Sequence, residues 1–528
     1  MVERRVHINP PGANDSRYAY VPFDVPPGAV RISVSYQYDR ANNANAIDIG
    51  LFDARGTGSD ADPHGFRGWS GGKRSEFFVS RNDATPGYLK GDMSAGTWRI
   101  ILGLYMVAPS GVDVELKIVI TTEKRSSFPL DPRTSSAAVG RPESAGETPS
   151  FPLVSGNATL RWWSGDLHMH TVHSDGDWTI PDLISSARSL GLDFICITDH
   201  NTSSHHAEID QLNKSLRQPL LLRGEEITTY GGHTNAWGLP SGAWIDFRVR
   251  PGDNDRISRL AAQVHRTGAL ISINHPFALC GGCAWSYDSA ARDFDAIEVW
   301  NGSWDQTDDL ALAMWDKVLR SGRHITAVGS SDSHRAANPI GQPTTHVAAN
   351  VRSQRALLDA IRQGRVYLTS EVARPVLGFE AETMAKRSKR WMIGDEIRLS
   401  GPAKIRFLVT AQTALPGATI SLVSNGQVLR SISTTNGKPQ TIDVECRSNS
   451  YYRLEIRDSA KAMLALTNPI YVRVGQVDRN RLEFANAFGV FLAVRTLSLE
   501  NLHFTRSKRR CGLQLEGKRA GHETLVKH

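Results

Sequence analysis

The stretch GDLHMHTVHSDG, residues 165–176, holds three histidines and two aspartates in a chain with only 17 histidines among 528 residues. Imidazole and carboxylate donors suit Zn²⁺, Mn²⁺ and Fe²⁺, and a carboxylate can bridge two ions. In an extended chain side chains repeat every two residues, so His168 and His170 face one way while Met169 faces the other. Asp332-Ser333-His334 has the same spacing and can chelate in the same manner. Asp199-His200, Glu225-Glu226 followed by His233, and Asn274-His275-Pro276 add further donors.

These groups occupy equivalent places. Each follows a short apolar run, as in DFICIT (193–198), LLLRGEEI (220–227), ALISINH (269–275) and HITAVGSSD (324–332), with DAIEVWN (295–301) a further strand of this kind. Between the runs, IPDLISSARSLG, DRISRLAAQVHRTG, QTDDLALAMWDKVLRSG and a segment from Ser353 to Gln363 have helical spacing. Sustained strand–helix alternation implies a parallel sheet, open or closed into a barrel, whose strand C-terminal ends share one ligand-collecting rim. Convergence of five strand ends makes metal binding the reading for His168, His170, His200, His275, Asp332 and His334. His173, His205, His206 and His265 read as polar surface positions, and Cys196, inside DFICIT, as core. Asp166, Asp177 and Asp199 read as supporting partners or caps.

The flanks differ. Residues 1–123 alternate in short runs separated by Gly, Asn, Asp and Pro turns, as a β-sandwich-like domain requires. Residues 124–159 form a Ser/Pro-rich linker, and the α/β block spans 160–380. A second β-sandwich-like domain, with an Asn425-Gly426 hairpin turn, covers 390–475, followed by a basic tail at 476–528 without regular patterning. A hydrophobic content of 40% with 22% charged residues permits sizeable cores, and the net charge of +7 is mild for the length. No apolar run has the signal-peptide or membrane-helix pattern, which predicts a soluble cytoplasmic protein. Five cysteines argue against a disulfide framework, and Cys280-Gly-Gly-Cys283 reads as a local disulfide or packed thiol pair.

The set GDLHMHTVHSDG, ITDHN, GEEITTYGGHTNAWG, INHP and SSDSH resembles the PHP (polymerase and histidinol phosphatase) domain of metal-dependent hydrolases. GHTNAWG, IGQPTT and QGRVYLTS look most like its carbaryl-hydrolase branch. The resemblance implies a distorted (β/α)7 TIM-like barrel holding two or three divalent ions, Zn, Mn or Fe. It implies that His168, His170 and Asp332 bind one ion, and that Glu226, His233 and His275 bind a second with Glu226 bridging. Asp175, His200 and His334 would bind the third. Glu226 and Asp332 would then be catalytic, and Arg335 is placed to neutralise an anionic substrate.

The reaction implied is hydrolysis of a small-molecule phosphoester by metal-activated water, with a carbamate or aryl ester as the alternative substrate. Two other classes compete. Gly68-Trp69-Ser70-Gly71-Gly72 fits G-x-S-x-G but lies among β runs, without the strand-to-helix elbow that a serine nucleophile needs. Exposed aromatics such as Trp69 would suit a carbohydrate- or protein-binding module, although core packing explains them equally. Nucleic-acid binding rests only on overall charge and SKRR at 507–510, and oligomeric state is not indicated.

Overall fold

Apolar–polar alternation in the first 122 residues produces eight strands in the computed structural model. These are β1 (Val2–Ile8), β2 (Tyr18–Val25), β3 (Ala29–Tyr38), β4 (Ala46–Phe52), β5 (Phe66–Gly71), β6 (Glu76–Ser80), β7 (Gly96–Met106) and β8 (Val112–Thr122). They form two four-stranded antiparallel sheets, ordered β1-β8-β3-β6 and β2-β7-β4-β5. Strand β8 turns Val112, Val114, Leu116 and Ile118 inward, where they join Ile47, Ile49, Ile100 and Leu102 in one core. Trp69 is buried on the opposite side, with its ring centroid 5.0 Å from Phe247 of the α/β block. It therefore offers no exposed binding platform. Ser70 is also buried, within β5, and its hydroxyl lies 3.0 Å from the Tyr88 hydroxyl, so the G-x-S-x-G segment forms no nucleophile elbow.

The structure describes residues 1–12, 14–58, 64–122, 153–155, 158–288, 290–373, 375–384, 389–412, 417–434 and 437–475. Most of the Ser/Pro-rich linker and the whole basic tail, SKRR included, fall outside them.

In the α/β block, strands β10 (Ala158–Asp166), β11 (Phe194–Ile197) and β12 (Leu220–Thr229) follow the short β9 (Leu153–Ser155). Next come β13 (Gly232–Trp237), β14 (Leu270–Ile273), β15 (Ala296–Asn301), β16 (Thr326–Ser330), β17 (Thr344–Ala349) and β18 (Val366–Thr369). Helices α1 (Ile180–Leu190), α2 (His206–Leu212), α3 (Asn254–Arg266), α4 (Gln306–Arg320) and α5 (Gln354–Arg362) lie between them. Helix α1 starts at a capping box of Thr179 and Asp182 and stops at left-handed Gly191, while Ser353 caps α5.

The sheet runs β16-β15-β14-β13-β12-β11-β10-β17-β18 as an open ladder. This corrects the expectation of a purely parallel arrangement, and the strand pairing does not itself close a barrel. Pairs β10/β11, β11/β12, β14/β15 and β15/β16 are parallel, but β13 enters antiparallel between β12 and β14. Strand β17 likewise runs antiparallel to β10 and β18. The reversal into β13 is made by Gly232 at φ 132°, where a Cβ would come within 2.7 Å of the Trp285 ring.

Beyond β18 the same sheet continues into the C-terminal region through Met463–Thr467, and then through Ser450–Arg457 and Thr419–Ser424. A separate antiparallel sheet built on Val376–Thr383 and Ala403–Gln412 supplies Phe379 and Phe407 to a core shared with Leu422 and Leu454. The Asn425-Gly426 hairpin has positive φ at both residues. Arg453, buried, pairs with Asp316 of α4 at 2.7 Å, and the Asn468 side chain bonds both the amide and the carbonyl of Ala327. Among the described residues no helix is long and apolar enough to cross a membrane.

His346 of β17 is buried, with its nitrogens 2.9 Å from the Ser164 hydroxyl and 2.7 Å from that of Thr369. Burial pushes its pKa down to about 3. The unfolded chain therefore takes up this proton first as pH falls. The stability contributed is complete above roughly pH 6.5 and drains away between there and the folded value, by up to about 1.4 kcal/mol per pH unit. Replacing His346 by Gln should flatten the pH dependence of urea unfolding between roughly pH 6.5 and 4. An unchanged slope would contradict this assignment.

Candidate metal centre

Glu226 lies late in β12 and is almost fully buried. Five histidine rings surround its carboxylate. The nearest distances are 2.8 Å from His200, 3.2 Å from both His233 and His275, 3.3 Å from His168 and 3.5 Å from His170. Asn274 donates to Oε1 at 3.0 Å. Its neighbour Glu225 is equally buried but does not join the histidines. Burial pushes Glu225 up to about 8, and its Oε2 has no hydrogen-bond partner. Period-two alternation along β12 separates the two carboxylates, and Glu226 is the one at the cluster.

His168 and His170 stand just past the end of β10, in chain that keeps the extended alternation. Their Nε2 atoms lie 3.3 and 3.0 Å from Asp332 Oδ1, while Met169 packs into a separate apolar cluster. The Asp332-Ser333-His334 segment is not the simple extended pair expected, because Asp332 has φ 51°. Asp332 consequently meets His168 and His170, whereas His334 Nε2 lies 3.3 Å from Asp175 Oδ1. His275, at φ 23°, is also left-handed, so two of the expected ligands hold uncommon backbone conformations, as functional residues often do.

The donor atoms fall into overlapping sets within 4.8 Å of one another. One is His170, Asp175, His200 and His334; a second is His168, His275 and Asp332. A third is His168, His170 and Glu226, and a fourth His200, Glu226 and His233. All nine expected ligand residues are therefore brought together, with His170 also reaching the Asp175 set and His275 the His168–Asp332 set. The donor chemistry fits divalent ions. His168 Nε2, His170 Nε2, Asp175 Oδ1, Glu226 Oε2 and Asp332 Oδ1 are buried, lack hydrogen-bond partners and face one another.

The carboxylates and imidazoles of the cluster shift one another's titration. Burial alone would raise Glu226, but His168, His200 and His233 hold it well below the ordinary carboxylate value. Asp332 is held down against burial by His168 and His170. His200 is desolvated, yet Asp175 and Glu226 lift it to about 9, while burial and two neighbouring histidines push His170 down to about 4.

The supporting residues act on backbone. Asp166 accepts from the amides of His168, Ser331 and Gly341, and Asp199 accepts from Thr171 and the Ser174 hydroxyl. Exposed Asp177 pairs with Lys73. His205 and His206 correct the surface reading: both are fully buried, with Nε2 atoms 3.1 and 3.0 Å from the Gly224 carbonyl. His173 is half-buried against the Ser204 hydroxyl, and His265 is exposed beside Asp295. Arg335 is exposed next to His334. Cys280 and Cys283 form a disulfide in the loop after His275.

Sequence reasoning missed Glu298. Its Oε1 lies 3.0 Å from His168 Nδ1, and its Oε2 accepts from the His275 amide and the Asn301 side chain, both at 3.0 Å. The available signal was a carboxylate flanked by apolar residues in the middle of the run DAIEVWN. Glu298 orients two of the expected ligands at once, and its conversion to Gln should weaken divalent-metal affinity about 10- to 100-fold while the fold is kept. Metal titration with circular dichroism checks this, and an unchanged affinity would refute it.

Two family matches cover parts of this block. The PHP domain matches residues 166–229, and the PHP-associated family matches residues 319–366. No curated protein matches the sequence at a significant level. Among solved structures, a two-domain Bacteroides vulgatus protein containing a predicted PHP-like metal-dependent phosphoesterase is 17% identical. That alignment covers 62% of this chain and 100% of the other, with a TM-score of 0.36. A Bifidobacterium adolescentis protein described as a metal-dependent phosphoesterase is 20% identical over 34% of this chain and 91% of its own, with a TM-score of 0.27. An amidohydrolase from Chromobacterium violaceum, solved with sulfate and no metal, is 15% identical over 38% and 96%, with a TM-score of 0.27. His168, His170, Asp175, His200 and Glu226 lie in the stretch similar to the PHP domain, and Asp332 and His334 in the stretch similar to the PHP-associated family, whereas His233 and His275 lie in neither.

Proposed function

We propose that the chain is a metal-dependent hydrolase of the PHP superfamily, acting on phosphoesters with two or three divalent ions of Zn, Mn or Fe. The observation that carries this reading is the ring of buried, hydrogen-bond-free donor atoms around Glu226. His168, His170 and Asp332 would hold one ion, Glu226, His233 and His275 a second, and Asp175, His200 and His334 a third. Ions held there lower the pKa of a coordinated water and polarise the phosphoryl or carbonyl group under attack.

The protein's own groups have separable roles. Glu226, with a side chain only 1% exposed, is fixed by five imidazoles and is suited to bridging. The Asp332 side chain is 23% exposed, so it would meet a water approaching from the rim while His168 and His170 keep it ionised. Arg335, exposed beside His334, is placed to meet an anionic substrate. The same reading makes the α/β block a distorted (β/α)7 TIM-like barrel. Supporting it, the His170 amide donates to the Ser333 carbonyl and the Asp332 amide to the His168 carbonyl. These bonds tie the chain leaving β10 to the chain leaving β16. A carbamate or aryl ester substrate is the second reading, favoured by the GHTNAWG segment, whose His233 contacts Glu226.

Protein produced with Mn²⁺ or Zn²⁺ should retain at least two ions per chain, and His168→Ala should lose metal and activity together. Chelator should abolish hydrolysis of p-nitrophenyl phosphate or bis-p-nitrophenyl phosphate, and a serine-directed inhibitor should not. Turnover confined to 1-naphthyl carbamate or acetate would transfer the assignment to the second reading. Fewer than one ion per chain, unchanged in His168→Ala, would overturn both.

A further inference from the structure

The segment after β5 reaches across to the loop that carries Asp175. Lys73 Nζ donates to the Asp175 carbonyl at 2.9 Å and lies 3.4 Å from the Asp177 carboxylate. The Arg74 guanidinium spans two further carbonyls, Ser174 at 3.0 Å and Val172 at 2.6 Å. Three carbonyls of one ligand-bearing loop are thus held by two adjacent cations about a hundred residues earlier in the chain. The loop passes this restraint on, because the Asp177 amide donates to the His334 carbonyl at 2.7 Å.

A second contact reaches the loop after His200. The Gly87 amide donates to the Ser204 hydroxyl at 3.1 Å, and the Gly87 carbonyl accepts from the Thr202 hydroxyl at 3.0 Å. Ser204 in turn lies 2.7 Å from His173 Nδ1. At Gly87, φ is 96° and a Cβ would fall 2.7 Å from the His173 carbonyl oxygen, so close approach at this point requires glycine. All three residues of the Asp175–His200–His334 set therefore sit on, or are bonded to, segments gripped by the N-terminal sheets. Glu226 and His233 instead lie on β12 and β13, and Glu298 of β15 steadies His168 and His275.

We propose that Lys73 and Arg74 are positioning residues that hold the Asp175 loop, and through it the Asp175–His200–His334 subsite, in its ligating geometry. The N-terminal sheets then act as part of the metal centre and not only as a neighbouring module. The subsite's role rests on the metal-dependent reading above.

The test compares full-length wild type with Arg74→Met, Lys73→Met and Arg74→Lys, using Mn²⁺ alone as the probe. Bound Mn²⁺ is counted after dialysis, and amide hydrogen exchange is followed in residues 172–177 and 224–236. Arg74→Met should weaken one Mn²⁺ site by about tenfold or more and speed exchange in 172–177 by a similar factor, with 224–236 unchanged. Arg74→Lys, which keeps the charge but cannot span both carbonyls, should fall between. Mn²⁺ binding and loop exchange equal to wild type in Arg74→Met would overturn the proposal. If Arg74→Met does not fold, Lys73→Met, at a half-exposed position, is judged by the same two measurements. Wild type that binds no Mn²⁺ would refute the metal reading, and the exchange comparison would then decide the clamp by itself.

Discussion

A carboxylate buried as deeply as Glu226 is costly unless positive charge surrounds it. The histidines that meet this requirement come from segments more than a hundred residues apart, from His168 to His275. Much of the α/β block follows from that constraint. Strand ends must open on one rim, and Asp332 and His275 must leave their segments through left-handed backbone. Glu298 must stand behind His168 and His275 to fix their orientation. Without its histidines Glu226 would be a buried uncompensated charge. The histidines in turn depend on the carboxylate: Glu226 is among the groups that raise His168, His200 and His275 against their own burial.

The rest of the fold supports this arrangement from both sides. Strand β13 runs against the direction of its neighbours, and that reversal brings His233 beside Glu226. The C-terminal strands extend the same sheet, and Asn468 bonds the edge strand β16, which leads directly to Asp332. On the other side, the N-terminal sheets contact the loops bearing Asp175 and His200 through Lys73, Arg74 and Gly87. Half-buried Asp48 of β4 accepts from the Tyr230 hydroxyl just after β12. The flanking regions are therefore joined to the centre by specific polar contacts as well as by chain connectivity.

Several features were legible in the residues alone. Period-two spacing marked His168 with His170, apolar runs located most central strands, and Asn425-Gly426 marked its hairpin. Misreadings came where local pattern and tertiary environment diverge. His205 and His206 lie among polar residues and read as surface, yet their rings bond the Gly224 carbonyl in the interior. The GHTNAWG segment carries no sign of its direction, which depends on the tight turn at Gly232 and the space beside Trp285. Glu298 was hidden inside an apolar run because hydrophobic patterning does not say which polar side chain will find a partner.

The sequence by itself determined the donor types, their place at the ends of apolar runs, and hence the divalent-cation chemistry of the proposed centre, because these depend on side-chain identity and short-range periodicity. Only the tertiary structure shows why Glu226, which the resemblance had singled out, meets the histidines and Glu225 does not: the two side chains face opposite ways in β12. It also decided the nearness of His170 to the Asp175 set and of His275 to His168 and Asp332, the reach of Lys73 and Arg74 to a loop a hundred residues away, and the antiparallel direction of β13 and β17. Each of these depends on distances between segments remote in the chain, which local spacing does not encode.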